Sequence, residues 1–456
     1  MFELIKQKTG MLKGIFRRQD LTLSRNRLEE LTWLGGGQII TVILSVVSVK
    51  LMTSVGSEEY GKLTLATSVG SILILGFFGP IEQAYTRFYF DYTSDAQRHA
   101  IFSRSLLQLL WMCIAVLVPI SLVLMFVLSV AADITPTFTL AAASMIILGL
   151  INVPLGGMLG AMRRRKQMAM IQVFERVVII LLLLWFLSAL YPSAVSLMIA
   201  IAVATALSAL ARVVVYLKAS PSPEGDHSEV FDSSAFKREV RKTILKYSLP
   251  FVLWGALAWV QGNGERWVIS RLLSTGDVGR YGLAYALVAN SGALAFSMMA
   301  QYITPVVYQS FSSGTLEGRT RALDLIRLHA VATALVFGAV GAVLFFLGGI
   351  IIPLLSNADF VLDGGFLFLL TAGIGIFHMA QSLTAIGMAL RKPEIYMRAK
   401  VVAAIASVVL YCVGCYLLGM VGIALAMIGV SLLYLVIVIQ SNRRLMMSHP
   451  FGSVAT

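Results

Sequence analysis

The chain has 456 residues, of which 58% are hydrophobic and 13% are charged. A water-soluble domain carries about 25% charged residues, so this chain has too few charges to cover a globular surface in water. The composition therefore excludes a soluble enzyme, a disulfide-rich secreted protein and a disordered chain, and the long apolar runs disfavour a β-barrel. What remains is an all-α polytopic membrane protein, with a formal net charge of +13 to be explained.

Apolar runs long enough to cross a bilayer, about 20 residues each, predict twelve transmembrane helices. They lie at 31–52, 63–88, 105–130, 138–161, 171–190, 193–217, 247–270, 281–308, 328–353, 363–388, 398–418 and 420–440. Only Gly419 separates the last two. The basic segment 1–30 contains no cleavable signal, and it is either a helix lying on the membrane surface or a solvated tail.

Lys and Arg predict the orientation, because cytoplasmic loops carry an excess of them. With the N-terminus in the cytoplasm, the inside segments hold 28 Lys and Arg, whereas the outside loops hold only Lys62, Arg271 and Arg280. Both termini are then cytoplasmic, and most of the positive charge reflects topology rather than a nucleic-acid partner. With Arg398 and Lys400 counted in the inside segment 389–400 and Asp363 in the preceding outside loop, the predicted spans keep five basic residues and three acidic ones: Lys50, Arg87, Arg176, Arg212, Arg266, Glu82, Glu175 and Glu265.

Segments 50–68 and 271–289 resemble each other at an offset of 221 residues. Lys50 aligns with Arg271, and Tyr60-Gly61 aligns with Tyr281-Gly282. Each segment joins the first predicted span of a six-span half to the second, so we expect two pseudo-symmetric six-helix bundles of like orientation around a central cavity. The predicted units are the basic segment 1–30, the bundles 31–217 and 247–440, the linker 218–246 and the tail 441–456.

Polar side chains form a stripe on each of two predicted spans, the first and the eighth. The stripes consist of Gln38, Thr41, Ser45 and Ser48, and of Asn290, Ser297, Gln301, Thr304 and Tyr308. They indicate a water-filled cavity, although hydrogen bonds between helices are the alternative. Ionisable residues within spans are functional hypotheses by default, because their burial is costly.

Two further spans carry the main charged clusters. The seventh contains Gln261, Asn263, Glu265 and Arg266, and Gly262 and Gly264 among them are expected to let something approach the backbone. The second contains Glu82, Gln83 and Arg87 before an aromatic run. The rings of that run are interpreted either as an interfacial belt or as platforms for sugar faces. Arg176 begins the fifth span, and Arg212 is expected to extend to the membrane surface. His378 is a candidate proton site or an ordinary packing residue.

The sequence contains no Walker A, HExxH or GxSxG motif, so it predicts no enzyme, no catalytic residue and no ATP-driven motor within this chain. Cys113, Cys412 and Cys415 are interpreted as apolar helix residues, and neither a metal site nor a cofactor is expected. A cavity with a positive balance favours an anion, because guanidinium matches phosphate geometry.

Two stretches carry a resemblance to a known family: LTWLGGGQIITVILSVVSVKLMTSVGSEEYGKLTLATS and ERWVISRLLSTGDVGRYGLAYAL. With the twelve-span layout, they make the chain similar to the Wzx-type oligosaccharide and polysaccharide flippases of the MOP superfamily. The resemblance implies transport of a polyprenyl-diphosphate-linked glycan across the bacterial cytoplasmic (inner) membrane for O-antigen, capsule or exopolysaccharide assembly. It also implies membrane lipids, a polysaccharide polymerase and export machinery as partners.

Such flippases use cationic cavity residues, for which Arg87, Arg266 and Lys50 are the first candidates here. The remaining candidate binding residues are Glu265, Asn263, Gln261, Gln38, Gln83, Asn290, Gln301 and Arg176. Coupling to H⁺ or Na⁺ is an open expectation, with Glu82, Glu265 and His378 as candidates. Two alternatives remain: a MATE-like multidrug exporter, which would prefer an acidic cavity, and a membrane O-antigen polymerase or ligase, which would carry a large outside loop.

Overall fold

The computed structural model describes residues 25–92, 95–131, 135–162, 164–189, 192–219, 233–312, 315–390 and 392–448. In these ranges every regular element is helical. The α-helices are α1 (Arg25–Thr53), α2 (Ser57–Leu73), α3 (Gly79–Tyr92), α4 (Ala96–Ala131), α5 (Pro136–Ala161), α6 (Arg165–Ala189), α7 (Ala194–Ala219), α8 (Ser233–Leu272), α9 (Thr275–Val288), α10 (Leu294–Ser312), α11 (Leu316–Leu355), α12 (Gly364–Ala389) and α13 (Met397–Ser448). Most of the segment 1–30 and residues 220–232 of the linker lie outside the described residues.

Within the described ranges, eleven helices are long and apolar enough to span a membrane. The last of them is two spans, because the chain breaks at Gly419, with φ 58° and ψ −137°. A residue with a Cβ rarely adopts such a conformation. The two limbs of α13 then pack backbone to backbone, since a Cβ on Gly422 would lie 1.8 Å from the Gly414 carbonyl oxygen. The prediction of about twelve spans is confirmed.

Several helices begin well before their predicted spans. The second span begins at Ser57, so Lys62 lies within α2, where it pairs with Glu59 at 2.6 Å, and not in a loop. Helix α11 begins at Leu316, where the Thr315 hydroxyl accepts a hydrogen bond from the Gly318 amide at 3.0 Å. Hydropathy detects only the apolar part of a helix, so polar turns beyond the bilayer are missed.

The second span of each half contains a short π-helical segment. The first, Ile74–Phe78, joins α2 to α3, and the second, Ala289–Ala293, joins α9 to α10. Pro80 follows the first segment and cannot donate a backbone hydrogen bond to the preceding turn. Because π-segments widen a helix locally and often occur at functional sites, they direct attention to these two spans.

The two halves touch where α2 crosses α9. A Cβ on Gly61 would lie 1.9 Å from the Thr275 carbonyl oxygen, and a Cβ on Gly279 would lie 1.9 Å from the Ser57 carbonyl oxygen. Small residues let transmembrane helices approach this closely. The segments that resemble each other in sequence are therefore in direct contact across the interface between the halves.

Candidate functional site

A set of contacts joins the halves at the end of the molecule predicted to face outward. The Lys50 Nζ donates to the carbonyl oxygens of Ser356 at 3.1 Å and Pro353 at 3.4 Å. The Thr53 hydroxyl donates to the Leu355 carbonyl oxygen at 2.9 Å. These contacts, here called the outer clamp, connect α1 to the end of α11. They place Lys50 in a contact between helices; its predicted role in cargo binding stays a prediction.

A groove of about 560 Å³ opens at the opposite end of the molecule. It lies between α3 of the first half and α8 and the start of α13 of the second. Its walls are largely aromatic and apolar, with one cation and one acid. The lining residues are Phe88, Thr243, Lys246, Tyr247, Pro250, Phe251, Trp254, Pro393, Glu394 and Met397. We call it the inner groove.

Arg87 stands beside the inner groove. Its guanidinium carbon lies 5.6 Å from the centroid of the Phe88 ring, and Phe88 packs edge-on against Tyr247 at 5.3 Å. The Arg87 side chain remains 47% exposed, with only a long contact of 3.6 Å to Asp91. A guanidinium with this much freedom can reorient toward an anion, so the structure places one predicted cation next to a cavity.

Three neighbouring rings of α3 pack against α4. Tyr85 is fully buried and stacks on Phe102 of α4 at 5.5 Å, and Tyr92 stacks on Phe102 at 4.7 Å. Tyr89 lies edge-on to His99 at 5.1 Å. These rings fasten α3 to α4. Phe88 is the ring of this run that lines the inner groove.

The cluster on α8 is a buried polar network. Glu265 is 0% exposed and accepts a hydrogen bond from the Tyr281 hydroxyl at 3.3 Å. Arg266 is 11% exposed and lies 3.8 Å from Glu265. It donates to the Asn263 side-chain oxygen at 2.7 Å and lies 4.9 Å above the Tyr285 ring. Arg266 thus has local partners, and the network sits away from the inner groove.

Gln261 belongs to the same buried region. It is 6% exposed, and its backbone carbonyl oxygen accepts a hydrogen bond from the Tyr411 hydroxyl at 2.8 Å. Gly262 and Gly264 face open space, since a Cβ at either would meet nothing within 4 Å. The prediction that these glycines let something approach the backbone is compatible with that space, but no described group approaches them.

The expectation that Arg212 extends to the membrane surface is wrong. Its guanidinium lies 3.5 Å from the Glu175 carboxylate and donates to the backbone carbonyl oxygen of Asn152 at 2.8 Å. Ser208 donates to the same carboxylate at 2.6 Å. The Glu175 carboxylate is a partner for Arg212 inside the bundle, so the Arg212 guanidinium does not extend to the lipid headgroups. Arg176 is half-buried beside this cluster, which joins α5, α6 and α7.

The other predicted ionisable residues are separated from one another. Glu82 is half-buried against α5, close enough that a Cβ on Gly157 would collide with it. Gln83 is exposed. His378 lies among aromatic rings, with centroids 4.6 Å from Phe296 and 5.3 Å from Phe337. The three candidate coupling residues therefore occupy different places and form no shared site.

The two polar stripes differ in environment. On α1, Gln38 is half-buried, but Ser48 is 1% exposed and bonds to the Leu44 carbonyl oxygen of its own helix at 2.8 Å. On the eighth span, Asn290 is half-buried in the second π-segment. Two members of that stripe, Ser297 and Tyr308, are exposed, whereas the Gln301 side chain lies outside the described residues.

Sequence reasoning missed Lys400. The sequence places Lys400 at the border between the inside segment 389–400 and the span that begins at 398, yet its side chain is 1% exposed within the second half. Three rings surround its Nζ: Tyr434 at 4.7 Å, Phe377 at 4.9 Å and Trp254 at 5.2 Å. The neighbouring basic residues suggested a loop. The burial of Lys400 could have been inferred from helix geometry. Arg398 is exposed, and a residue two positions later lies on nearly the opposite side of α13.

In the part of the chain that the structure describes, no group of three or more His, Cys, Asp or Glu side chains could hold a metal ion. The three cysteines are free, and Cys412 is exposed. The candidate site has two parts: an aromatic groove with Lys246 in its wall and Arg87 beside it at one end, and a clamp that joins the halves at the other.

Solved structures of transporters share this fold. An inward-facing multidrug resistance MATE-family transporter of the MOP superfamily is 15% identical, with a TM-score of 0.69 over 89% of this chain and 94% of that one. The lipid II flippase MurJ, in an inward closed conformation, is 14% identical, with a TM-score of 0.67 over 91% and 87%. A eukaryotic MATE transporter is 15% identical, with a TM-score of 0.63 over 92% and 99%.

A comparison with curated protein sequences gives no match. The family model described as polysaccharide biosynthesis protein matches residues 28–311. That match covers more than half of the chain and contains both segments that resemble the flippases. The chain is thus a multi-pass membrane protein that shares the fold of these transporters, and it belongs to the polysaccharide biosynthesis protein family.

Proposed function

We propose that this protein flips a polyprenyl-diphosphate-linked oligosaccharide across the bacterial cytoplasmic membrane by alternating access. The observation that carries the proposal is the inner groove, open between the halves at the end with most Lys and Arg, while the outer clamp joins the halves at the opposite end. This arrangement suits a carrier that loads on the cytoplasmic side.

The chemistry of the groove fits such a cargo. Arg87 and Lys246 supply positive charge for a diphosphate, and guanidinium binds phosphate oxygens with directed hydrogen bonds. Phe88, Tyr247 and Trp254 offer flat apolar faces against which sugar rings pack. The lipid tail would stay in the bilayer while the polar head moves through the protein.

Release on the other side requires the outer clamp to open and the inner groove to close. The close crossing of α2 and α9 at Gly61 and Gly279, here called the glycine crossing, lies at the same end as the outer clamp. The two helices must therefore separate there when the clamp opens. Both termini lie in the cytoplasm in this proposal, and the cargo is passed to polysaccharide assembly machinery outside.

The test is transfer of a fluorescent polyprenyl-diphosphate-linked glycan between leaflets of proteoliposomes. We expect wild-type protein to accelerate transfer over protein-free vesicles. We expect Arg87→Ala to slow it roughly tenfold, since a hydrogen bond to a charged group contributes about 1.5–3 kcal/mol. Arg327→Ala is the matched control, because Arg327 is also an exposed arginine paired with an acid on its own helix, Asp324. Arg87 contacts the lining residue Phe88, whereas Arg327 is not among the residues that line the groove.

Because Arg266 has local partners, Arg266→Ala is expected to lower stability more than cargo affinity. Equal transfer rates for wild type and Arg87→Ala would contradict the assignment of Arg87 to cargo binding. The MATE-like exporter is the second candidate, favoured by the fold and by Glu394 in the groove. Uptake of cationic dyes without transfer of the lipid-linked glycan would support it.

A further inference from the structure

The aromatic cage around Lys400 is a feature that cargo binding does not explain. Lys400 lies near the start of α13, and its side chain is 1% exposed. The rings around its Nζ come from three separate segments: Trp254 of α8, Phe377 of α12 and Tyr434 of the second limb of α13. Four parts of the second half therefore converge on one amino group.

A buried ammonium normally requires a carboxylate partner. Among the residues that the structure describes, none pairs with Lys400. The titratable groups that face it are His378 and Tyr434, and neither carries negative charge near neutral pH. The faces of the rings, which attract cations, are thus what stabilises the charged form. A small displacement of the rings would favour the neutral amine.

One cage residue also belongs to the inner groove. Trp254 lines the groove, and its ring also lies 5.2 Å from the Lys400 Nζ. Any movement of α8 that closes the groove also changes the distance between Trp254 and the amino group. Groove shape and the charge of Lys400 are therefore physically linked through a single side chain.

We propose that Lys400 is a proton-binding site that couples proton exchange to closure of the inner groove, an inference that rests on the proposed function. The Lys400 ammonium gives its proton to water entering from one side of the membrane and becomes a neutral amine. A proton from water on the other side then restores the ammonium. The cage forms around the charged amino group and loosens around the neutral one, so each exchange accompanies one change of access.

The first test measures glycan transfer in proteoliposomes with and without an imposed proton gradient. We expect the gradient to change the wild-type rate about fivefold or more. Lys400→Met and Lys400→Arg should both abolish that dependence, because neither side chain exchanges protons near neutral pH. Arg398→Gln, which removes an exposed cation two residues away, should retain it. If Lys400→Arg keeps the full dependence, the lysine is only a structural cation and the proposal is overturned.

A second test does not require cargo. Tryptophan fluorescence of the purified full chain is titrated between about pH 5 and pH 10, the range in which perturbed amines titrate. We expect a transition that Lys400→Met and Trp254→Phe remove and Arg398→Gln retains. Absence of a Lys400-dependent transition in wild type overturns the proton site. A transition without glycan transfer by any variant supports the site and contradicts the proposed function.

Discussion

Charged residues of the predicted spans separate into those with a buried ionic partner and those without one. Arg212 pairs with Glu175, and Arg266 lies against Glu265, so both acids neutralise arginines that the sequence suggested were available. Arg87 remains largely exposed beside the inner groove, and Lys400 is buried among rings. The sequence could show that spans carry excess positive charge, but not which charge is free, because partners come from distant helices.

We predict that the ion pair between Arg212 and Glu175 stabilises the fold. Removing one partner of a buried pair leaves an uncompensated charge and costs about 3–5 kcal/mol. Arg212→Met should therefore strongly lower thermal stability in detergent, and Glu175→Leu combined with it should recover much of the loss. Thermal unfolding of the single and double variants is the measurement. A double variant no more stable than Arg212→Met would show that the two residues do not act as a pair.

Helices were predictable in number but less so in extent. Long apolar runs predicted all twelve spans, and Gly419 correctly marked the break in α13. The ends of α8 and α11 were missed because their polar turns extend beyond the bilayer. Lys400 was missed for a related reason: a helix that begins among basic residues looks like a loop until the rings of other helices are seen to surround it.

We predict that the close packing of α2 on α9 depends on the glycine crossing. Gly279→Ala places a methyl group where the Ser57 carbonyl oxygen lies 1.9 Å away, so α2 and α9 must separate. Such overpacking costs about 1–3 kcal/mol, and we expect lower thermal stability and slower glycan transfer. Gly262→Ala is the matched control, because its Cβ meets open space and alanine favours a helix by about 0.5–1 kcal/mol. Equal behaviour of the two variants would contradict the close crossing.

In the proposed function, the whole molecule is a carrier whose halves are joined at one end and open at the other. The resemblance between segments 50–68 and 271–289 predicted that the halves are related. It could not predict that these same segments contact each other, because contact depends on how the bundles pack. We interpret the outer clamp and the inner groove together, as the closed and open ends of one transport path.

The most direct test locks the outer clamp while glycan transfer is measured. Thr53→Cys and Ser356→Cys, in a chain lacking Cys113, Cys412 and Cys415, are joined by a short reducible cross-linker in proteoliposomes. Transfer of the fluorescent polyprenyl-diphosphate-linked glycan should stop on cross-linking and return on reduction, because release requires the clamp to open. Transfer at full rate while the clamp is cross-linked, or no transfer above protein-free vesicles before it, would contradict the account.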